Sequence, residues 1–315
     1  MLSSGNLIAD RRYGFAEAAA DRGDHAGAAD ILRQTLDLVP DWAPAWFALG
    51  EALEKCGDAA QAAAAFGRAL DLDALDGLGA ALRLARLGTR PPPAAAPGAY
   101  MRALFDNYAP RFDDHLVGGL AYRAPQLLAG ALASIVAAAG GEARFTDALD
   151  LGCGTGLAAR ALAGRVASFI GVDLSSAMLA VAARSGLYAE LHESDLVSFL
   201  ARRAESSADL VVAADVFVYI GDLSAVFAGV ARALRQGGLF AFTVQSGPQQ
   251  SYALGADLRY AHSPAYLAAE AGRAGFTVAH LEAASSRRDA GRDVPGLVVV
   301  LRWADVARRD LAEER

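Results

Sequence analysis

The stretch Ala148–Asp173 reads ALDLGCGTGLAARALAGRVASFIGVD and decides the fold. A short apolar run ends at Asp150, and alternating glycines follow from Gly152 to Gly156. An Ala/Leu-rich helical pattern comes next, and a second apolar run stops at Asp173. A strand, a glycine turn, a helix and a second strand ending in an acid make the first half of a nucleotide-binding βαβ unit.

Two residues in this stretch indicate which nucleotide fits. A dinucleotide-binding fingerprint has its third glycine at the position that Leu157 occupies, where the pyrophosphate needs bare backbone. The carboxylate of Asp150, just before the turn, repels phosphate but suits an ammonium group. These features favour S-adenosylmethionine, which joins adenosine to an amino-acid tail without a phosphate. A nicotinamide enzyme is the more distant alternative.

At these residues the chain resembles the class I methyltransferases, whose first motif is acid-x-Gly-x-Gly-x-Gly. The resemblance extends to LFDNYAPRFDDHL, VDLSSAML, ADVFVYIGDL and RYAHSPAYL, which are similar to segments of a bacterial group of methyltransferases with N-terminal tetratricopeptide repeats. It implies an α/β fold with a Rossmann-like, seven-stranded sheet whose last strand is antiparallel. A small all-α tetratricopeptide-repeat domain would precede this sheet.

Composition and charge exclude several classes of protein. With 54% hydrophobic and 21% charged residues the chain is expected to fold rather than remain disordered. A net charge of −7 argues against a general affinity for nucleic acid or anionic membranes. The two cysteines, Cys56 and Cys153, lie in different segments and have neither disulfide nor metal-ligand spacing. We therefore predict a cytoplasmic protein with no metal, no signal peptide and no membrane span.

An internal repeat organises the N-terminal part. Gly23-Asp24 recurs as Gly57-Asp58 at a spacing of 34 residues, the period of tetratricopeptide repeats. The predicted domains are a repeat domain at 1–88, a proline-rich linker at 89–98 and a methyltransferase domain at 99–315, in which 99–140 forms lid helices. Since the repeats are few, the first domain is either a helical cap or a groove for a peptide or protein, and self-association through it is a further option.

The segment FDNYAPRFD, residues 105–113, carries aromatic side chains on a predicted helix. It resembles the helical segment that folds over the cofactor in methyltransferases of this class. Aromatic faces attract a compact cation such as a sulfonium. We therefore predict that Tyr108 and Phe112 contact the cofactor, whereas core packing is the alternative for Phe105.

Three acids take separate roles by this resemblance. Asp150 and the glycine turn hold the methionine moiety, Asp173 holds the ribose hydroxyls, and Asp195 reaches the adenine amino group. Asp195 has a second interpretation as the N-cap of the helix that follows it. The full set of predicted cofactor-binding residues is Tyr108, Phe112, Asp150, Gly152, Cys153, Gly154, Thr155, Gly156, Asp173, Leu174, Ser175, Met178, Asp195, Leu196, Asp215 and Val216.

Methyl transfer from a sulfonium is an in-line displacement that mainly needs orientation, a dry site and, for a poor nucleophile, a base. No catalytic triad is required, and Cys153 in the cofactor turn is not expected to act as a nucleophile. The predicted catalytic residues are Tyr219, His262 and His115. The predicted substrate contacts are Arg123, Tyr219, Arg259 and His262, and a structural salt bridge is an equal alternative for each arginine.

The sequence thus predicts an S-adenosylmethionine-dependent methyltransferase that yields S-adenosylhomocysteine and acts on a small molecule or a protein. The rival hypothesis is an adaptor protein whose repeats bind a partner and whose second domain senses the cofactor without chemistry. The predicted strands of the catalytic domain lie at 147–151, 168–172, 189–193, 208–218, 239–245, 277–285 and 297–303.

Overall fold

The computed structural model describes residues 3–248 and 250–304. The chain divides into two compact units. Among the described residues, the first unit includes those up to Tyr100 together with Ala256–Leu258, and the second includes those from Met101 to Gly255 and from Arg259 to residue 304. The division falls just beyond the predicted linker.

The first unit is built from helices that pack on one another in chain order. They are α1 (Leu7–Asp21), α2 (His25–Leu36), α3 (Ala43–Lys55), α4 (Ala59–Leu72) and α5 (Ala80–Arg86). Asp24 caps α2 by accepting from the Gly27 amide, and Asp58 caps α4 by accepting from the Gln61 amide. Equivalent caps at the repeat spacing show that the two helix pairs begin their second helices in the same way.

The second unit is an α/β structure. Its helices are α6 (Gly98–Tyr108), whose first three residues are assigned to the first unit, α7 (Ala124–Ala138), α8 (Leu157–Ala161), α9 (Ser176–Ala183), α10 (Leu196–Arg202), α11 (Ser224–Ala233) and α12 (Pro264–Arg273). Its strands are β1 (Phe145–Leu151), β2 (Val166–Asp173), β3 (Tyr188–Glu193), β4 (Ala208–Ala213), β5 (Leu234–Ser246), β6 (Tyr252–Leu254), β7 (Tyr260–His262), β8 (Phe276–Ala283), β9 (Arg288–Asp289), β10 (Arg292–Asp293) and β11 (Gly296–Trp303).

The main sheet has the strand order β3-β2-β1-β4-β5-β11-β8. The strands from β3 to β5 are parallel, and β11 is antiparallel to both of its neighbours. Hydrophobic clusters of buried side chains pack around this sheet, so the central strand β4 is buried along nearly its whole length. The mostly parallel sheet and its antiparallel last strand agree with the sequence prediction, and the carboxyl ends of β1, β2 and β4 meet at one edge, where open α/β sheets bind ligands.

Two local predictions of strand structure were wrong, and one short hairpin was not predicted. The fourth strand ends at Ala213 rather than continuing to 218, because Asp215 has a φ of 59° and Phe217–Tyr219 form a 3-10 turn. In addition, β6 and β7 join the sheet from the segment that was treated as a loop, so the sheet has nine strands in the described residues instead of seven. The short hairpin of β9 and β10 was also not foreseen.

Candidate functional site

The glycine turn follows β1 in a left-handed backbone conformation. Gly152, Gly154 and Gly156 have φ values of 63°, 52° and 90°. A Cβ at Gly152 would lie 2.6 Å from Cγ2 of Val216. The turn therefore needs glycine at this position both for its backbone angle and for its contact with the residue after β4.

Asp173, at the end of β2, braces this turn. Its Oδ2 accepts a hydrogen bond from the Gly154 amide at 2.9 Å, and its Oδ1 accepts one from the Ser175 amide at 2.9 Å. Burial raises the pKa of Asp173, although these hydrogen bonds act in the opposite direction. The acid predicted to hold the ribose thus also ties together the loops that follow β1 and β2.

Asp150 is 1% exposed and shares a hydrogen bond with a residue that the sequence analysis did not select. The Tyr188 hydroxyl donates to Oδ2 of Asp150 at 2.6 Å. Tyr188 is the first residue of β3, and β2 lies between β3 and β1 in the sheet. The Tyr188 ring can reach Asp150 across β2 because Gly171 has no side chain there. A Cβ at Gly171 would lie 2.9 Å from Cε1 of Tyr188. Burial raises the pKa of Asp150 to about 7, the Tyr188 hydrogen bond lowers it, and Asp173 adds a further increase.

Cys153 lies beneath the turn and is 5% exposed. Its amide donates to the Val172 carbonyl at 2.9 Å, and burial raises the pKa of its thiol well above the ordinary value. A protonated, buried thiol is a poor nucleophile, which agrees with the expectation that Cys153 does not act as one.

Asp195 serves as the N-cap of α10. It accepts from the Ser198 amide at 2.8 Å, and although burial raises the pKa of this acid, its hydrogen bonds with Ser198 outweigh that effect and lower it. The capping interpretation is therefore correct, while its contact with adenine stays a prediction. Nearby, Ser175 and Met178 are buried, and Leu174 and Leu196 are half-buried.

The aromatic segment, residues 105–113, lies beside the glycine turn. A Cβ at Gly154 would be 3.9 Å from Cε1 of Phe112. The rings of Tyr108 and Phe112 meet edge to face with centroids 5.3 Å apart. Tyr108 also forms a hydrogen bond with Nδ1 of His115, which is exposed. The structure thus brings these two aromatic residues and His115 close to the turn.

Tyr219 occupies the 3-10 turn after β4 and faces the same aromatic group. Its ring meets that of Phe105 edge to face at a centroid distance of 5.6 Å. Burial raises the pKa of Tyr219, while the positive charge of Arg259, which also hydrogen-bonds its hydroxyl, lowers it. The hydrogen bond between Tyr219 and Arg259 joins two residues that were both predicted to contact the substrate.

Asp215 forms a buried ion pair that the sequence did not reveal. Nη1 of Arg287 donates to Oδ1 and Oδ2 at 2.9 and 2.7 Å, and the Ser286 hydroxyl donates to Oδ1 at 3.2 Å. Arg287 is 3% exposed, so the pair is largely removed from water. Both carboxylate oxygens are thereby engaged by protein groups, and a contact of Asp215 with the cofactor stays a prediction.

Tyr122 and Arg123 connect the start of α7 to this edge of the sheet. The Tyr122 hydroxyl donates to the Ala214 carbonyl at 3.3 Å, and its pKa is raised by burial and by the nearby Asp215 and Asp150. Nε of Arg123 donates to the Ser285 carbonyl at 2.8 Å. Arg123 therefore holds a backbone segment in place through a hydrogen bond rather than through the salt bridge given as its alternative role, and its contact with a substrate stays a prediction.

The predicted roles of His262 are not supported by its placement. The side chain is 0% exposed, because Tyr260–His262 form the strand β7 inside the sheet. Its Nε2 lies 3.0 Å from the Gly221 carbonyl oxygen, and its ring stacks with Tyr266 at 5.7 Å. Burial lowers the pKa of His262 to about 4, which keeps the imidazole neutral. A buried neutral ring has no direct access to a substrate. His262 is buried because its segment, which was predicted to be a loop, forms strand β7.

Residues 149–242 match the model of a methyltransferase domain family. The chain is 32% identical over 110 residues to a ubiquinone biosynthesis O-methyltransferase of Idiomarina loihiensis, an alignment that spans 34% of this chain and 45% of that protein. It is 30% identical over 105 residues to the protein of the same name from Hahella chejuensis, spanning 32% of this chain and 44% of that protein. The chain thus covers less than half the length of the curated relatives that it matches.

Among solved structures, the [4+2]-cyclase SpnF aligns with a TM-score of 0.53 at 18% identity, covering 67% of this chain and 98% of that one. This similarity concerns the fold alone. The family match, together with the sheet order and the two acids beside the glycine turn, decides the class of the second unit. It contains a class I S-adenosylmethionine-dependent methyltransferase domain.

The methyltransferase domain brings together most of the predicted cofactor residues at the carboxyl edge of β1, β2 and β4. Tyr188, Arg287 and Tyr122 were not among the predicted site residues, since each contacts the site from a distant segment. Gly171 was the one available signal for Tyr188, because a glycine inside a buried strand often marks a close approach of another group.

Metal binding and membrane insertion are two further functions to consider for residues 3–248 and 250–304. No cluster of three or more His, Cys, Asp or Glu side chains in these residues could hold a metal ion. In the same ranges, no helix is long and apolar enough to cross a membrane.

Proposed function

We propose that this protein transfers a methyl group from S-adenosylmethionine to an acceptor by in-line displacement. The observation that carries the proposal is the left-handed glycine turn between two acids, the buried Asp150 and the half-buried Asp173, with the rings of the aromatic segment beside it. The glycines leave the backbone of the turn without side chains. The carboxylates of the two acids suit an ammonium group and hydroxyl groups rather than phosphates. These residues fit S-adenosylmethionine.

The proposed roles follow the positions of the residues. Asp150 and the turn bind the methionine moiety, Asp173 the ribose hydroxyls, and Asp195 the adenine amino group. Tyr108 and Phe112 would face the sulfonium, and the cofactor would supply an activated methyl group there, with the neutral thioether of S-adenosylhomocysteine as the leaving group. In a site that excludes water, aromatic faces stabilise such a cation by about 2 kcal/mol.

The acceptor side of the proposal rests on Tyr219, Arg259 and His115. Arg259 can receive an anionic group of the acceptor, and the hydrogen-bonded pair of Tyr108 and His115 can take up a proton. The names of both curated relatives contain O-methyltransferase, so a hydroxyl is the first acceptor atom to test. The acceptor is a small molecule or a protein.

For the first unit we propose tetratricopeptide-type repeats. Support comes from the matched caps Asp24 and Asp58 and from the left-handed Gly23 and Gly57 at the same spacing. The repeats would present a protein acceptor, bind a partner or join two copies of the chain. A cytoplasmic location and the lack of affinity for nucleic acid stay predictions of the composition.

The rival proposal is an adaptor in which the domain binds S-adenosylmethionine without transferring its methyl group. The similarity to a protein named as a cyclase shows that this fold is not confined to proteins named for methyl transfer. The proposals differ in turnover, since only an enzyme releases S-adenosylhomocysteine when an acceptor is present.

Calorimetric titration of the full chain with S-adenosylmethionine, S-adenosylhomocysteine and NAD tests the cofactor. We expect micromolar binding of both sulfur ligands, about −8 kcal/mol, and none of NAD. Release of S-adenosylhomocysteine is then measured against phenolic, carboxylic and amine acceptors. Binding of NAD alone, or of no ligand by the folded protein, contradicts the proposal. Binding without turnover on any acceptor class favours the adaptor.

The raised pKa of Asp150 predicts a pH-dependent affinity. Since the folded pKa is about 7 and the ordinary pKa of an aspartate is 3.8, the contribution of Asp150 to the free energy of unfolding is fully present below pH 3.8 and is lost as pH rises through 7. Only the ionised carboxylate attracts an ammonium, so affinity for S-adenosylmethionine should increase as pH rises through the same value, with proton release on binding near neutral pH.

Tyr188→Phe makes this prediction specific. The Tyr188 hydrogen bond lowers the pKa of Asp150, so its removal should move the midpoint of the affinity profile to higher pH. Titrations across pH in two buffers of different ionisation enthalpy measure both effects. Tyr13→Phe, a tyrosine of the first unit, is the matched control. A wild-type affinity that is flat in pH, or an unshifted Tyr188→Phe profile, contradicts the assignment of Asp150.

A further inference from the structure

We propose that Asp106 and Asp113 are positioning residues that fasten the aromatic segment to the two loops that hold the cofactor. This inference rests on the proposed function. It concerns a pair of acids that follow the phenylalanines of the segment, in the dipeptides Phe105-Asp106 and Phe112-Asp113, which are seven residues apart.

Asp106 binds the loop after β2. Its Oδ1 accepts from the Ser175 hydroxyl at 2.6 Å and from the Ala177 amide at 3.3 Å, at the N-terminus of α9. Ser175 is 0% exposed, and its hydroxyl also accepts from the Met178 amide. The carboxylate is therefore the acceptor for the buried hydroxyl of Ser175, the same residue whose amide Asp173 binds.

Asp113 binds the glycine turn. Its Oδ1 accepts from the Thr155 hydroxyl at 2.5 Å, and its Oδ2 pairs with Nη2 of Arg160 at 2.8 Å. Thr155 is 1% exposed, whereas the Asp113 and Arg160 side chains are 40% and 39% exposed. A half-exposed ion pair adds little, so the bond to the buried hydroxyl is the important one.

The two bonds couple the aromatic segment to the cofactor. The loops after β1 and β2 belong to neighbouring strands, and the segment contacts one loop through each acid. If the segment opens, the buried hydroxyls of Thr155 and Ser175 lose their acceptor, and Tyr108 and Phe112 leave the sulfonium together. The two acids therefore slow the release of the cofactor, although neither needs to touch it.

The test measures how fast bound S-adenosylhomocysteine leaves each variant, by dilution into excess unlabelled ligand. Asp106→Ala and Asp113→Ala should each release it about tenfold faster than wild type, the scale of one hydrogen bond to a charged group. Asp113→Asn keeps an acceptor for Thr155 but loses the charge, so its release rate should lie between those of the wild type and Asp113→Ala. Asp114→Ala is the matched control, because it removes the adjacent exposed acid and should leave the rate unchanged.

A second measurement needs no cofactor. Arg111 is an exposed residue of the aromatic segment, so the rate at which trypsin cleaves after it reports the opening of that segment. Asp106→Ala should be cut faster than Asp114→Ala, at equal melting temperature of the two variants. Release and cleavage rates equal to those of the Asp114→Ala control overturn the inference. If the wild-type protein binds no sulfur ligand, the proposed function fails, and the cleavage rates alone still decide whether these acids fasten the segment.

Discussion

Gly152→Ala is expected to abolish measurable binding of S-adenosylmethionine and S-adenosylhomocysteine. The φ of 63° costs an L-residue about 1–2 kcal/mol, and the new methyl group would lie 2.6 Å from Cγ2 of Val216. The turn must move to relieve this overlap. That movement would break the hydrogen bond from the Gly154 amide to Asp173. We expect an affinity loss above about 100-fold in calorimetric titration.

Two companion variants separate the backbone angle from the overlap. Gly164 has a φ of 77° and open space around its Cβ position, so Gly164→Ala has the strain without the clash and should keep its affinity. Adding Val216→Ala to Gly152→Ala removes the clashing methyl groups and should restore part of the binding. Full affinity in folded Gly152→Ala would show that the turn does not hold the cofactor.

Asp173→Ala should cause the second largest loss. The substitution removes the predicted partner of the ribose and leaves the amides of Gly154 and Ser175 without their acceptor. Each lost hydrogen bond to a charged group is worth about 1–3 kcal/mol, so affinity for S-adenosylmethionine should fall by roughly 30-fold or more. Calorimetric titration, with melting temperature measured on the same sample, checks this result.

The controls for this prediction distinguish binding from stability. Asp58→Ala removes an N-cap in the first unit, which lowers the free energy of unfolding by about 1 kcal/mol and should not change affinity. Asp173→Asn retains one acceptor oxygen and should lie between the wild type and Asp173→Ala. If Asp173→Ala is folded and binds as well as wild type, Asp173 has no part in the cofactor site.

Local sequence patterns were enough for the fold of the second unit and for the centre of its candidate site. The glycines at 152, 154 and 156 could be placed in a turn because their left-handed backbone is local chemistry, and Asp150 and Asp173 could be placed at strand ends because apolar runs stop there. The antiparallel last strand followed from the resemblance to the family.

Contacts between distant segments could not be predicted from local sequence patterns. The bond of Tyr188 to Asp150 depends on the ring passing over Gly171 of the intervening strand, and the pair of Asp215 and Arg287 joins residues 72 positions apart. His262 was assigned to the substrate because its segment is polar, but strand pairing carries it into the interior.

The sequence by itself determined the class of fold, the glycine turn and the acids beside it, because each depends on neighbours within a few residues. Only the tertiary structure decided the raised pKa of Asp150, the burial of His262 and the hydrogen bonds of Asp106 and Asp113 to the loops after β2 and β1. The physical reason is that burial and long-range hydrogen bonds depend on which elements pack together, and residue spacing along the chain does not specify that packing.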